Sequence, residues 1–403
     1  MEVLVVDPSN YTSLYDYSLC KGLSNTGCDV ELVTSISLYT DRALGSDFPI
    51  NYLFFKRSCQ LLTRFPFLLR IPLLRKVVKA MEYPMNLFSF VDYIQRRNAK
   101  IIHFQWVIMP LIDFVLLRWL RNKKLKLVYT AHDVLPHNQR WYHKYVYGLV
   151  YKIVDAIIVH SNNVRTELVN IFNIVPSTVK VIPHGSFDNY FSDLRNIRRI
   201  PKRKAKEVIG LKPYHKVVFF CGPVEPYKGL VYLINAFPVV KNNIPNAKLV
   251  IAGRAKGSFA YAELMRELNI NEDVLLDLRD MSDQEMVNYY LASDVVVLPY
   301  VKTYQSAVLL SAYTLGRPVV VTDTGGLGEV VEDGRSGYVV PPEDEQALAT
   351  AICKLLGDGA NIESMGRYAA KLAKTKYSWD SIARKTELVY SELQKDYRRG
   401  CQD

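Results

Sequence analysis

VVVLPYVKTYQSAVLLSAYTLGRPVVVTDTGGLGE, residues 295 to 329, is the stretch from which the rest of the chain can be read. An apolar β-branched run ends at Pro299, a short polar loop follows, and Ala307 to Leu315 has the pattern of a helix stopped by Gly316. Val319 to Val321 is a second apolar strand, which opens into the glycine turn Thr324 to Gly326. Strand, helix and strand in roughly thirty residues make a βαβ unit of a parallel sheet. Ligands of such sheets bind beyond the carboxyl ends of the strands, where helix N-termini offer free N–H groups to anions. The loop Lys302 to Ser306 and the turn Thr324 to Gly326 both fall at such ends, so a phosphate-bearing ligand is expected there.

Upstream, Lys216 to Cys221 is an apolar strand, followed by the loop Gly222-Pro223-Val224-Glu225-Pro226-Tyr227-Lys228-Gly229 and a helix to Phe237. A glycine loop with one lysine at its exit can cradle a diphosphate through backbone N–H groups and add a point charge. A carboxylate beside a diphosphate repels it, so either Glu225 points away or this loop binds phosphate less well. Lys248 to Ile251 with Gly253-Arg254, and Val274 to Leu278 with Arg279-Asp280-Met281, are further strand-and-turn pairs. Ser282 and Glu285 form a helix capping box. Gly334 to Pro342 reads as a glycine turn and strand, Asp344 begins a helix, and Ser378 to Lys395 is an amphipathic helix.

The first half repeats the theme. Glu2 to Val6 is a buried strand leading to Ser9-Asn10-Tyr11, then a helix to the Gly27 stop, then the strand Glu31 to Thr34, the opening of a Rossmann-like half. Residues 60 to 98 read as helices interrupted by Pro66, Pro72 and Pro84. Ile101 to Gln105 and Lys126 to Thr130 are strands, the second ending in Ala131-His132-Asp133-Val134-Leu135-Pro136-His137. A histidine beyond a parallel strand can donate to a sugar hydroxyl or phosphate. His132 and His137 lack a third ligand of suitable spacing, so no metal site is expected. Val154 to His160 is a strand, Ser161 starts a helix that ends near Phe172, and Val179 to Ile182 leads to Pro183-His184-Gly185.

Composition bounds the class. At 403 residues with 49% hydrophobic and 23% charged side chains, the chain suits two ordered domains. Six scattered cysteines without a CxxC pair fit a reducing compartment. Met1-Glu2 leads directly into a strand rather than a secretory signal, and the most apolar segment, Met109 to Leu120, is short and carries Asp113 and Arg118, so no span is expected. Residues 1 to 212 hold 30 basic against 16 acidic side chains, whereas 213 to 403 hold 21 against 24. Residues 51 to 100 alone carry 10 basic and 2 acidic, interleaved with Phe65, Phe67, Leu68, Leu69, Ile71, Leu73 and Leu74. That pattern suits an anionic membrane surface or, equally, a solvated basic face over a helical hairpin. Nucleic acid is not expected, since no binding motif accompanies the charge.

The Pro299-Tyr300, Gln305-Ser306-Ala307-Val308, Ala312-Tyr313, Gly316-Arg317-Pro318-Val319 and Gly325-Gly326 groups resemble the donor-binding segment of the group 1 retaining glycosyltransferases (family 4, GT-B fold). They are closest to a branch with Gln-Ser in place of the two-glutamate motif; Thr303 and Ser311 stand at the two glutamate positions. TAHDVLPH, Ile182-Pro183-His184-Gly185 and Lys228-Gly229 are similar to further family segments, whereas Pro223 and Glu225 occupy the place of an expected arginine. The resemblance implies two Rossmann-like α/β domains with parallel sheets facing across a cleft: an acceptor-binding domain, 1 to 190, a basic linker, 191 to 212, whose composition includes a short helix ending at Gly210, a nucleotide-sugar-binding domain, 213 to 376, and a C-terminal helix, 377 to 403, crossing back to the first domain. It implies metal-independent transfer of a sugar from a UDP- or GDP-sugar, with no separate cofactor, to a lipid-linked or polysaccharide acceptor at the cytoplasmic membrane face. Implied catalytic residues are His132, Lys228, Gln305 and Ser306. Gly222, Tyr227, Gly229 and Arg254 would join Lys228 around the diphosphate loop, and Arg279, Asp280 and Met281 would hold the base. Thr303, Ser311, Gly325, Gly326 and His184 would line the donor site, with Glu329 a contact or a helix N-terminal carboxylate. Ser9-Asn10-Tyr11 is either a cleft loop or an ordinary one. The missing glutamates and arginine leave a non-catalytic scaffold as the alternative; an epimerase of the same fold would need cleft carboxylates that the sequence does not supply.

Overall fold

The computed structural model describes residues 1–36, 47–65, 72–97, 99–136, 139–187, 199–254 and 261–399. They cluster into two units, Met1–Pro183 with Trp379–Asp403, and His184–Ser378.

The first unit is built on seven parallel strands: β1 Glu2–Asp7, β2 Asp29–Ser35, β3 Ile50–Phe54, β4 Ile101–Phe104, β5 Lys126–Thr130, β6 Ala156–Val159 and β7 Val179–Val181. Their order is β3-β2-β1-β4-β5-β6-β7, so the winding reverses between β1 and β4. Such a reversal leaves a crevice beyond the carboxyl ends of the two strands. Val3, Val5, Ile101, Val128 and Ile158 are buried, which accounts for the continuous apolar runs: both faces of a parallel sheet are covered. The C-terminal helix Trp379–Arg399 belongs to this unit. Its Ile382, Ala383, Val389 and Tyr390 enter the core beside Leu19 and Leu23. A Cβ on Gly22 would come within 2.9 Å of both Ala383 Cβ and Trp379 O, so the helices Ser13–Asn25 and Trp379–Arg399 meet where a side chain is missing.

The second unit repeats the plan with six parallel strands: β8 Lys216–Cys221, β9 Ala247–Ala252, β10 Val274–Asp277, β11 Val295–Leu298, β12 Val319–Thr322 and β13 Gly337–Val340. The order β10-β9-β8-β11-β12-β13 puts the reversal between β8 and β11. Helices Leu230–Asn243, Asp283–Ala292, Ala307–Thr314, Glu345–Gly357 and Gly359–Lys374 cover the sheet. Ser282 caps its helix with the reciprocal Glu285 bond that the sequence pattern predicts, and Asp344 accepts from Ala347 N at the start of another.

Three expectations are corrected. Pro84 lies inside one continuous helix, Pro72–Arg96, and Pro238 lies inside Leu230–Asn243. Each proline removes one helical hydrogen bond, and burial of neighbouring side chains, Tyr83 and Leu87 in the first and Phe237 and Val240 in the second, holds the helix together. The strand β3 was not anticipated; it sits at the sheet edge beside β2, and its short Ile-Asn-Tyr-Leu-Phe run is mixed in burial. The short helix expected to end near Gly210 in the basic stretch is present. Lys202–Val208 is a helix of the second unit, with Ala205 buried and the Lys206 ammonium 3.0 Å from the buried Asp294 carboxylate. Lys202 bonds the other Asp294 oxygen. The part of the expected linker from 191 to 198 lies outside the described residues, as does His137.

Candidate functional site

The reversal between β8 and β11 brings the two glycine-bearing loops together. Beyond β8 the chain turns through Gly222, and a short 3₁₀ turn, Pro226–Lys228, precedes the helix Leu230–Asn243. Gly229 (φ +63°) is forced: a Cβ there would lie 1.9 Å from Pro299 O, so the β8 loop packs directly on the end of β11. The Tyr227 carbonyl accepts from Val301 N at 2.8 Å across the same junction. On the other side, a Cβ on Gly325 (φ +55°) would lie 1.8 Å from Thr303 O, and Gly326 N donates to Tyr304 O at 3.0 Å. The three loops after β8, β11 and β12 therefore form one backbone-to-backbone cradle.

Lys228 is almost wholly buried in this cradle. Its ammonium lies 5.1 Å from the centroid of the Tyr300 ring and where a Cβ on Gly222 would approach within 2.5 Å. Beside it stands the start of the helix Ala307–Thr314: Ser306 is extended (φ −141°, ψ 117°) and its side chain does not cap the first turn. A buried ammonium next to uncapped helical N–H groups is an anion site by charge and by donor geometry. Among the described residues, two buried oxygens of the adjoining loop, Gln305 Oε1 and Tyr300 Oη, have no hydrogen-bond partner of good geometry. Ser306 lies against the Tyr300 phenol, which burial drives far above its ordinary range and so keeps as a donor. A buried polar atom left unpaired costs about 1–3 kcal/mol. Tyr300, named in the sequence only within the Pro299-Tyr300 pair, joins the candidate site; its position directly after Pro299, at the end of β11, is the signal for it.

Glu225 does not oppose the site as a bare charge: the Tyr227 hydroxyl is hydrogen-bonded to it, one of the causes, after burial, that raise the Tyr227 phenol. Thr303 is buried and donates to Gln305 O at 2.8 Å, which fixes the turn carrying Gln305. Ser311, one turn into its helix, faces the Tyr290 phenol, whose oxygen is 3.1 Å from Cys221 Sγ. The loops after β8, β9 and β10 are laced together by Val224 N to Arg254 O at 2.9 Å and Gly253 N to Asp277 O at 3.0 Å. Arg254 reaches Asp280 at 3.9 Å. Arg279 is committed to Asp277 at 2.9 Å and Glu285 at 2.7 Å, bonds that raise the guanidinium and, with Ser282, hold Glu285 down near 2. Arg279 thus braces the loop, and Met281, half-buried, is its apolar surface. Glu329 is exposed in the first turn of Leu327–Val330. His184 is placed apart from Lys228: its ring stacks on Phe187, whose N–H is held by Thr314, eight residues and about 12 Å along the helix from Ser306.

His132 belongs to the first unit. It is buried beyond β5, with Nε2 3.1 Å from Gln105 Oε1 and Nδ1 3.3 Å from His160 Nε2, and its ring stacks on Trp106 at 5.0 Å. Both ring nitrogens are thus engaged inside that unit. Among the described residues no cluster of three His, Cys, Asp or Glu side chains could hold a metal, and no helix is long and apolar enough to cross a membrane. On Pro72–Arg96 the residues Leu73, Leu74, Val77, Met81, Met85 and Phe88 are exposed, next to exposed Lys76. Phe67, Leu68, Leu69 and Ile71 of the same basic stretch lie outside the described residues.

Comparison with known proteins gives two family matches: Glycosyltransferase Family 4 over residues 15–186 and Glycosyl transferases group 1 over residues 201–372. The chain is 32% identical over 248 residues to an uncharacterized glycosyltransferase of Methanocaldococcus jannaschii, covering 62% of each chain. It is 31% identical over 254 residues to D-inositol 3-phosphate glycosyltransferase 2 of Catenulispora acidiphila, covering 60% of this chain and 57% of that one. The alignments thus span about three fifths of the length of these curated relatives. Among solved structures, sucrose-phosphate synthase from Thermosynechococcus elongatus superposes with a TM-score of 0.70 at 19% identity, covering 98% of this chain and 100% of that one. Anabaena HepE, solved with UDP and glucose, superposes with a TM-score of 0.70 at 18% identity, covering 97% and 100%. These two likenesses establish the fold.

Proposed function

We propose that the chain is a group 1 glycosyltransferase, a reading that its two family matches support, and that it transfers a sugar, with retention and without a metal, from a UDP- or GDP-sugar to a lipid-linked or polysaccharide acceptor in cell-surface glycan biosynthesis. The observation that carries this reading is the buried Lys228 ammonium between Gly222 and the Tyr300 ring, beside the start of the helix Ala307–Thr314, whose first turn has no side-chain cap.

In the transfer, the bond from the anomeric carbon to the diphosphate oxygen breaks while a bond to the acceptor oxygen forms. Negative charge collects on the departing diphosphate, and fixed donors that meet it there lower the barrier. Lys228, the helix N–H groups at 307 and 308 and the turn 324 to 326 supply them. Gln305, whose amide oxygen has no hydrogen-bond partner among the described residues, accepts from a sugar hydroxyl, taking over work that the resemblance assigns to a glutamate. The acceptor attacks the face from which the diphosphate leaves, and its proton passes to a diphosphate oxygen, so no enzymic nucleophile is required. The Arg279 to Met281 loop holds the base through its backbone and the Met281 side chain.

The test is sugar-nucleotide turnover. Lys228→Ala should lower kcat/KM by about a hundredfold or more, the cost of removing a fixed donor to the leaving charge, with the fold retained by circular dichroism; undiminished turnover would refute the role. A non-catalytic scaffold is the second reading. Its support is that Thr303 spends its hydroxyl on Gln305 O and that Ser311 faces Tyr290, so neither replaces a glutamate charge; measured sugar transfer would end it. We further assign the protein to the cytoplasmic membrane face, held by the exposed apolar stripe and basic side chains of the first unit.

A further inference from the structure

At the carboxyl ends of β4, β5, β6 and β7, which are neighbours in that order, the first unit carries a row of buried polar side chains that the proposed chemistry does not use. His103 and Gln105 come from β4 and its end, His132 from the loop after β5, and His160 directly follows β6; the Ile182 carbonyl, directly after β7, closes the row. At its other end, Tyr390 Oη of the C-terminal helix lies 2.6 Å from His103 Nδ1. His103 Nε2 is 2.7 Å from Thr130 Oγ1 and 3.3 Å from the Gln105 amide nitrogen. The Gln105 amide oxygen is 3.1 Å from His132 Nε2, His132 Nδ1 is 3.3 Å from His160 Nε2, and His160 Nδ1 is 2.9 Å from Ile182 O.

Hydrogens can be counted along this row. A carbonyl oxygen only accepts, so His160 Nδ1 carries a hydrogen. With the Gln105 amide oxygen towards His132, His132 Nε2 must carry one too. Were both rings neutral, each would have spent its single hydrogen, and the bare nitrogens His132 Nδ1 and His160 Nε2 would face each other at 3.3 Å. A hydrogen must lie between them, so this arrangement belongs to a pair holding one extra proton. A half-turn of the Gln105 amide, which exchanges two groups of nearly equal shape, gives the other complete arrangement. The amide nitrogen then donates to His132 Nε2, His132 Nδ1 donates to His160 Nε2, and both rings are neutral. The amide oxygen now faces His103 Nε2, which carries that ring's hydrogen, and His103 Nδ1 accepts from Tyr390 Oη. In the protonated arrangement His103 has the opposite tautomer and donates from Nδ1 to Tyr390 Oη. Burial lowers His103 to about 3, so its ring is neutral in both.

The elements packed on the pair present the following groups. Tyr15 of the helix Ser13–Asn25 meets the His132 and His160 rings edge-on at 4.7 and 5.5 Å, and Trp379 of the C-terminal helix meets Tyr15 at 5.0 Å. Trp106 stacks on His132, and its indole N–H donates to Thr12 Oγ1, which donates to Asp16 Oδ2 at 3.2 Å. Burial and then the Asp7 charge drive the Asp16 carboxyl up. Asp133 follows His132 in the loop after β5. Burial keeps the Tyr15 and Tyr390 phenols protonated, so both hold their hydrogens in either arrangement.

We infer that His132 and His160 take up one proton from solvent between them as pH falls, and that the Gln105 amide turns with it. The row is then a proton-sensitive switch that ends on the Ile182 peptide, just before the first unit closes at Pro183. Two rings that share a hydrogen titrate as a pair rather than singly. The inference does not rest on the transferase reading, and its test involves no nucleotide or sugar. The full chain, labelled with ¹⁵N in its seven histidine rings and assigned by single-site replacement, is titrated from pH 8 to pH 5, the range in which histidine exchanges its proton. Ring nitrogen shifts separate a bare nitrogen from one that carries hydrogen. At pH 8 His132 and His160 should each show a bare Nε2, and His103 a bare Nδ1. On acidification His132 Nε2 should gain its hydrogen, while His132 Nδ1 and His160 Nε2, which share the central one, shift in the same single step. In that step the bare nitrogen of His103 should change from Nδ1 to Nε2. Gln105→Met cannot pass the change on, so in that variant His103 should keep one pattern throughout. Separate steps for His132 and His160, no step by pH 5, a His103 pattern that stays fixed in the wild-type chain, or one that still changes in Gln105→Met would overturn the inference. Should Gln105→Met fail to fold, the wild-type titration decides by itself.

Discussion

Asp294 is buried beyond reach of water, yet it is ionised. Burial pushes its carboxyl up, and Lys202 and Lys206 with the Val217 N–H outweigh that and leave it below its ordinary value. The sign follows: the stabilisation is present above the unfolded carboxylate value and is lost as pH falls through the lower folded value. Asp294→Asn should cost about 3–5 kcal/mol in urea unfolding, because it leaves the buried Lys206 charge without its partner. An effect within experimental error would show that the 202 to 208 helix docks by apolar contact alone. His103 makes a second residue-scale prediction. Burial lowers it to about 3, and its ring bridges Tyr390 Oη at 2.6 Å and Thr130 Oγ1 at 2.7 Å. Between that value and the unfolded one near 6.5 the unfolded chain binds the extra proton, so this residue makes stability fall with falling pH, by about 1.4 kcal/mol per unit near pH 5. Asp113, raised to about 7 by burial, has the opposite slope, so the readout is the difference between wild type and His103→Asn, measured from pH 5 to 7. Parallel profiles for the two proteins would contradict the neutral, buried assignment of His103.

At the scale of elements, the glycine turns carry the site. Gly325→Ala puts a methyl group on Thr303 O in a left-handed conformation, and should displace the 302 to 306 loop. Nucleotide affinity is then expected to drop at least tenfold while far-ultraviolet circular dichroism is retained; full affinity would show that the loop yields freely. This element was legible in the sequence because a strand, a polar loop, a short helix and a Gly-Gly turn are local patterns. Ser282 with Glu285 and Asp344 were legible for the same reason. The continuity of Pro72–Arg96 through Pro84 and of Leu230–Asn243 through Pro238 was not, because tertiary burial there overrides a local breaker. Nor was the pairing of Arg279 with Asp277 and Glu285, or of Tyr227 with Glu225, since those depend on side-chain directions that spacing does not fix. The exposed stripe of Pro72–Arg96 yields its own prediction: Met81→Asp with Phe88→Asp should release the protein from vesicles rich in anionic lipid in a flotation assay. Equal flotation would remove that helix from the membrane reading.

On the scale of the whole molecule, two Rossmann-like units share one plan and differ in charge, with a net +14 over residues 1 to 212 and −3 over 213 to 403. The duplicated plan was readable because parallel strands buried on both faces leave unmistakable apolar runs. That the final helix belongs to the first unit came from the family resemblance rather than from its amphipathic pattern, which shows an apolar face but not its partner. The partners of His132, Gln105 and His160, were not readable from its segment, since they come from other strands. The proposed donor site lies in the second unit. Calorimetric titration of the full chain with UDP, then with GDP, tests it most directly. One nucleotide should bind at about micromolar affinity, near −8 kcal/mol, and at least tenfold more weakly to Lys228→Ala. Failure of both nucleotides to bind, or binding that Lys228→Ala leaves intact, would contradict it.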